Sequence, residues 1–234
     1  MRKKQTFAGD KKKGGSILYN WEQKMVGKVL PYIPKRIETY HLTYSTMIWS
    51  SLIVFSGFLS AKYSLNWLWL SSVMIVFQYI TDLLDGKLGK YRNTGLIKWG
   101  YYMDHFLDYF FLCSILISYS FIIPQEKEIM LFFILAILGG YMVNSYLAFA
   151  ATNEFKISYL KIGPTEVRIL FIVINTLFIV FGKTYLAFTL PASLILSTAG
   201  LIFVVYRTQK YIWRLDMEEK TRLSSRSGRT GGGL

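Results

Sequence analysis

The chain has 234 residues, 53% of them hydrophobic and 17% aromatic, and a formal net charge of +13. A mean hydropathy of +0.33, with the apolar residues gathered in long blocks, is too high for an ordinary soluble domain and points to a membrane bundle. A single Cys excludes an internal disulfide.

Residues 1–15 are basic and Gly-containing and are expected to be disordered. In the next stretch Leu18, Trp21, Met25 and Val29 recur at helical spacing, with Val26 and Leu30 beside them and Lys24 and Lys28 between. That pattern predicts an amphipathic helix lying on the membrane surface. Pro31 and Pro34 end it, so residues 16–40 read as a juxtamembrane helix and linker.

Six apolar blocks follow, at residues 43–61, 67–85, 96–123, 129–151, 166–182 and 185–206. Thr43 is the expected N-cap of the first. Pro124 closes the third, which is longer than a span needs. The fifth is near the lower length limit for crossing a bilayer, and the sixth has Pro191 early in it. Gly139-Gly140 in the fourth block suits close helix packing, and Asn144 and Asn175 suit hydrogen bonds between helices. The expected fold is an all-α membrane protein. It has six transmembrane helices over residues 41–212, an N-terminal amphipathic interfacial helix, and a mobile basic tail over residues 213–234.

With the N-terminus inside, all of the 27 Lys and Arg except Lys62, Lys127 and Lys183 fall on the inner side. Both termini are therefore expected to be cytoplasmic. No secretory signal peptide is expected, because the first apolar block begins after about forty polar or amphipathic residues. Positive charge at the span ends suits membrane lipid or nucleotide phosphate and argues against nucleic acid as the partner.

Two pairs of aspartates stand at the inner ends of the second and third blocks. Asp82 and Asp85 are three apart and Asp104 and Asp108 are four apart, so each pair shares one helix face. Carboxylates at the edge of a membrane helix are costly, and like charges brought together repel. A divalent cation is the simplest compensation. An all-oxygen set selects a hard ion, Mg²⁺ or Mn²⁺, and His41, His105 and Cys113 are not at zinc-site spacing. Four carboxylates suffice for one ion or two, and two would suit phosphoryl chemistry. Between the pairs, Gly86 and Gly89 allow close approach of backbone to a ligand. Lys87, Lys90, Arg92 and Lys98 add positive charge, which fits a metal-bound pyrophosphate or a cytoplasmic loop equally well.

A second constellation precedes the fifth block, in Lys161-Ile-Gly-Pro-Thr-Glu-Val-Arg168. Gly163-Pro164 makes a stiff turn, and Glu166 in the first helical turn is favoured by the helix dipole. On a helix His105 points about 100° away from Asp104, an offset that fits a plain structural His as well as a residue facing an acceptor rather than the metals.

These residues resemble the signature of the CDP-alcohol phosphotransferases, D-x-x-D-G-x-x-A-R, eight or nine residues, then G-x-x-x-D-x-x-x-D. Asp82, Asp85 and Gly86 match the first half, and Gly100, Asp104 and Asp108 the second. Gly89-Lys90 stands where the family has Ala-Arg. Lysine keeps the charge and loses the bidentate fork, so phosphate contact is weaker or shared with Arg92. The resemblance implies an integral-membrane enzyme that transfers a substituted phosphate from a CDP-linked donor to a lipid or polyol hydroxyl and releases CMP. It implies that Asp82, Asp85, Asp104 and Asp108 hold two ions, with Asp108 as the usual base. Gly86, Gly89, Lys90 and Gly100 would line the nucleotide site, Arg168 would contact acceptor or phosphate, and two copies would form a homodimer. His105 after Asp104, and Gly-Pro-Thr-Glu at residues 163–166, resemble the choline and ethanolamine phosphotransferase branch, in which His105 with Glu166 would be the base. The alternative donor within the family is CDP-diacylglycerol, with glycerol phosphate, inositol or serine as acceptor. The rival from another class is a non-catalytic membrane protein, such as a cation carrier. It would place its carboxylates near the bilayer midplane, whereas these stand at span ends.

Overall fold

The computed structural model describes residues 19–93, 96–153 and 163–230, and every regular element among them is a helix. Helix α1 (Tyr19–Val29) runs into a 3₁₀ turn, Leu30–Tyr32. Then come α2 (Thr39–Lys62), α3 (Leu68–Arg92), α4 (Ile97–Ser120), α5 (Glu128–Thr152), α6 (Pro164–Phe181) and α7 (Leu186–Thr230). Five of these stretches are long and apolar enough to cross a membrane: α2, α3, α5, α6 and α7. The expected third span, α4, is as long as α2 at 24 residues but is not among the five. Asp104, His105 and Asp108 lower the apolar content of its first half.

Several boundaries differ from the sequence expectation. Helix α2 begins four residues before Thr43, with Glu38 as its N-cap and the Glu38 amide donating to His41 Nδ1 at 3.0 Å. Helix α3 does not stop at Asp85 but continues as helix through Gly86 and Gly89 to Arg92. Two interior glycines cost roughly 1 kcal/mol each against alanine. Burial of Leu88 opposes that cost, as do the hydrogen bonds from the Arg92 guanidinium to the carbonyls of Ile33, Pro34 and Ile37. Asn93, in the left-handed region at φ 53°, ends the helix. The residues read as a tail extend α7 as one helix to Thr230, because Arg, Lys, Glu, Met and Leu carry it past the apolar part. The basic N-terminal residues 1–15 lie outside the described residues, as do Lys161 and Ile162.

Helix α2 is the centre of the bundle. It packs on α3 and α4, α6 packs on α3, and α5 joins α4 and pairs with α7. The face that makes this possible is not an apolar stripe. Thr39, Thr43, Thr46, Ser50, Ile53, Gly57 and Ser60 recur at alternating spacings of four and three, and all are buried. Small residues let helix backbones approach closely where lipid supplies no hydrophobic drive. At Gly57 a Cβ would lie 2.6 Å from Ser118 Cα, so α2 and α4 cross there at a distance only glycine permits. Polar pairs pin the rest. Asn175 on α6 is fully buried, donates to Ser72 Oγ on α3 at 3.0 Å, and accepts from the Tyr119 hydroxyl on α4 at 2.9 Å. Asn144 on α5 reaches Thr208 on α7 at 3.4 Å, and Gly140 faces Leu201 of α7. Both asparagines and this glycine thus serve the packing roles their positions suggest.

Candidate functional site

The prolonged α3 sets the geometry. On a continuous helix Asp82, Asp85, Gly86 and Gly89 fall on one side, as Gly100, Asp104 and Asp108 do on α4. Both helices lie against α2, and their acidic sides meet. Asp82, Asp104 and Asp108 each offer a carboxylate oxygen within 4.8 Å of the others, all half-buried. Neither helix could gather these three alone.

A third helix closes the group. Arg168, two residues beyond Glu166 on α6, is only 5% exposed. One terminal nitrogen of its guanidinium donates to Asp82 Oδ2 at 2.9 Å and to Asp108 Oδ1 at 3.1 Å. Its Nε donates to Gln78 Oε1 at 2.7 Å. The guanidinium carbon lies 5.9 Å from the centre of the Tyr79 ring and 5.8 Å from that of Phe111. Helices α3, α4 and α6 are therefore joined through one cation. Losing one partner of such a buried pair typically costs about 3–5 kcal/mol.

Asp85 stands apart from the other three. It is buried, with Oδ2 accepting from the Thr43 hydroxyl of α2 at 2.9 Å and Oδ1 accepting from the Gly86 amide. Thr43 is thus a partner of the acidic group and not a helix cap. Gly86 and Gly100 both face open space: among the described residues, no atom beyond their own helical turns lies within 4 Å of where a Cβ would stand. Lys90 and Lys98 are exposed. Arg92 is turned toward the linker carbonyls already described. An all-oxygen donor set, with a glycine gap on each flanking helix, fits a hard divalent cation carrying a phosphate ligand.

His105 and Glu166 have their own surroundings. The His105 ring meets Tyr101 edge-on at 4.4 Å and lies 5.5 Å from the Tyr146 ring of α5. Its Nδ1 is 3.8 Å from Asp104 Oδ2. Glu166 reaches back to accept from the Gly163 amide at 2.8 Å, with Pro164 opening the helix. That is the arrangement expected of an acidic residue in a first turn.

Three contributors were not singled out from the sequence. Gln78 was legible, as a polar residue inside an apolar run and one helical turn before Asp82. Glu22 was legible too, because it falls on the same helical face as Met25, Val26 and Val29. It is buried and accepts from the Tyr79 hydroxyl at 2.7 Å and from the Thr165 hydroxyl at 3.3 Å. Tyr79 had no such signal, since aromatics abound throughout the chain.

Comparison with curated proteins and with solved structures finds no match to this chain. The family model for CDP-alcohol phosphatidyltransferase matches residues 40–206, which contain α3, α4, α6, all four aspartates and Arg168. A match over that share of the sequence, on the helices that build the acidic group, makes the chain a member of the CDP-alcohol phosphatidyltransferase family.

Proposed function

We propose that the chain transfers a substituted phosphate from CDP-choline or CDP-ethanolamine to the hydroxyl of a lipid acceptor and releases CMP. The observation that carries the reaction type is the meeting of Asp82, Asp104 and Asp108 from two helices, beside the gaps at Gly86 and Gly100. Those three with Asp85 would hold one or two Mg²⁺ or Mn²⁺ ions, which when bound neutralise phosphate charge. Gly86, Gly89, Lys90 and Gly100 line the nucleotide side, with Arg92 as a further cation at the end of α3. Asp108 takes the proton of the acceptor hydroxyl, or His105 does so with Glu166 behind it. Oxygen–phosphorus bond formation and departure of CMP then complete the exchange. Helix α4 serves as the sixth span and α1 lies on the cytoplasmic surface. The active site and both termini face the cytoplasm, and the enzyme acts as a homodimer.

The placement of Glu166 on the Gly163 amide favours a second reading, in which the donor is CDP-diacylglycerol and the acceptor a polyol or serine. Purified protein given each labelled donor, with the products separated by thin-layer chromatography, decides between them. Label from CDP-choline or CDP-ethanolamine should enter lipid only with Mg²⁺ or Mn²⁺. Turnover of CDP-diacylglycerol alone would replace the first reading with the second. Full activity in excess chelator would remove the metal assignment from both. A double-mutant cycle on His105→Ala and Glu166→Gln bears on the base. A dyad acting as a unit gives each single variant about the loss of the double, in the range of roughly 10²–10⁴-fold. Wild-type rates in both would leave Asp108 as the base.

A further inference from the structure

Arg168 is built into the acidic group more firmly than a substrate-binding arginine needs to be. Its guanidinium is buried, bonded to Asp82, Asp108 and Gln78, and flanked by the rings of Tyr79 and Phe111. Gln78 itself is 1% exposed, so the anchor is fixed by packing. Asp82 and Asp108, the two carboxylates that Arg168 bonds, are also two of the three whose oxygens converge. A divalent cation held by those oxygens would stand within a few ångströms of the guanidinium. Like charges at such separations repel strongly in a partly buried site.

We infer that Arg168 is the resident counter-cation of this carboxylate group, and that it and a divalent cation compete for Asp82 and Asp108. The inference rests on the reading of Asp82, Asp104 and Asp108 as metal ligands. Without metal, Arg168 holds α3, α4 and α6 together and keeps carboxylates from α3 and α4 in register. Metal uptake then weakens its hold on them. The two cations are negatively coupled, and the coupling is reciprocal: whatever loosens Arg168 tightens metal binding by the same factor. Arg168 is thus a positioning residue that sets metal affinity.

The test is Mn²⁺ binding to full-length protein in micelles, read from the loss of the free-ion electron paramagnetic resonance signal, with no nucleotide present. Arg168→Gln should bind Mn²⁺ more tightly than wild type, by about tenfold. Its melting temperature without metal should fall, and Mn²⁺ should raise it by more than in wild type. Arg168→Lys, which keeps the charge, should stay near wild-type affinity. Gln78→Leu keeps Arg168 and removes its anchor, and should tighten Mn²⁺ binding by about threefold in a variant with its ion pairs intact. Weaker or unchanged Mn²⁺ binding in Arg168→Gln would overturn the inference while leaving the metal site standing. Should Arg168→Gln not fold, the same result in Gln78→Leu would do so. Equal tightening by Arg168→Lys and Arg168→Gln would overturn the charge argument. Absence of Mn²⁺ binding in wild type and variants alike would overturn the metal reading together with this inference.

Discussion

Asp85 shows how a single hydroxyl can matter at this site. Its Oδ2 accepts from Thr43 at 2.9 Å, a bond between residues 42 positions apart. Partners that orient a metal-binding carboxylate typically contribute about 10–100-fold to metal affinity or activity. Thr43→Val keeps the shape and removes the donor. It should lower metal-dependent CMP release by about that factor while leaving the melting temperature within a few degrees of wild type. An unchanged rate would place Asp85 outside the reaction. Gly86 offers a complementary test. It lies within α3, with open space among the described residues where a Cβ would stand. Gly86→Ala should therefore leave the fold intact or stabilise it by about 0.5–1 kcal/mol. Steady-state assay should nonetheless show a raised donor KM if the nucleotide backbone approaches α3 there. A raised KM in a fold of equal or greater stability is the result that assigns the gap to a ligand.

At the scale of the helix, α1 is tied to the helical bundle by a buried carboxylate. Glu22 joins α1 to α3 through Tyr79 and to the start of α6 through Thr165, and the Tyr79 ring in turn flanks Arg168. Hydrogen bonds to a charged group contribute about 1.5–3 kcal/mol each. Glu22→Ala should release α1, seen as faster amide hydrogen exchange over residues 19–29, with exchange in α2 unchanged. Uniformly faster exchange across the bundle would show instead that Glu22 stabilises the whole fold. The same reasoning explains why α3 is a single helix. Its glycines would weaken an isolated helix, but Leu88 and Arg92 fasten the last turns to neighbouring structure.

For the whole molecule, the proposed orientation rests on the distribution of charge. Lys62 ends α2, Lys127 lies just before α5 and Lys183 just after α6, and these are the basic residues that the sequence assigns to the outer side. In a Cys113→Ser background, Lys62→Cys should react with a membrane-impermeant maleimide only from outside intact cells. Arg222→Cys, on the exposed end of α7, should react only after the membrane is opened. The opposite labelling pattern would invert the protein and put the acidic group on the outer side. The length of α7 bears on this too, since 45 residues of helix extend well beyond a bilayer crossing.

Much of this protein is written locally in the chain. Apolar blocks, prolines and the spacing of Asp82, Asp85, Asp104 and Asp108 depend only on near neighbours, and they located the helices and named the acidic group. Gly140 and Asn175 were likewise legible, because small and polar residues inside apolar runs have few uses in a membrane. What α2 does was not legible. Apart from Ile53 its buried face is made of Thr, Ser and Gly, so hydropathy hides it, and it is set by the approach of α4 at Ser118. Nor did local pattern distinguish Asp85 from the three carboxylates that converge, since all four share the same spacing logic. The placement of Arg168 between Asp82 and Asp108 joins residues 86 and 60 positions apart. Only packing of α6 against α3, with α4 alongside, brings them together. A charge withdrawn from water must find its partner wherever the folded chain supplies one, and that choice belongs to the tertiary structure.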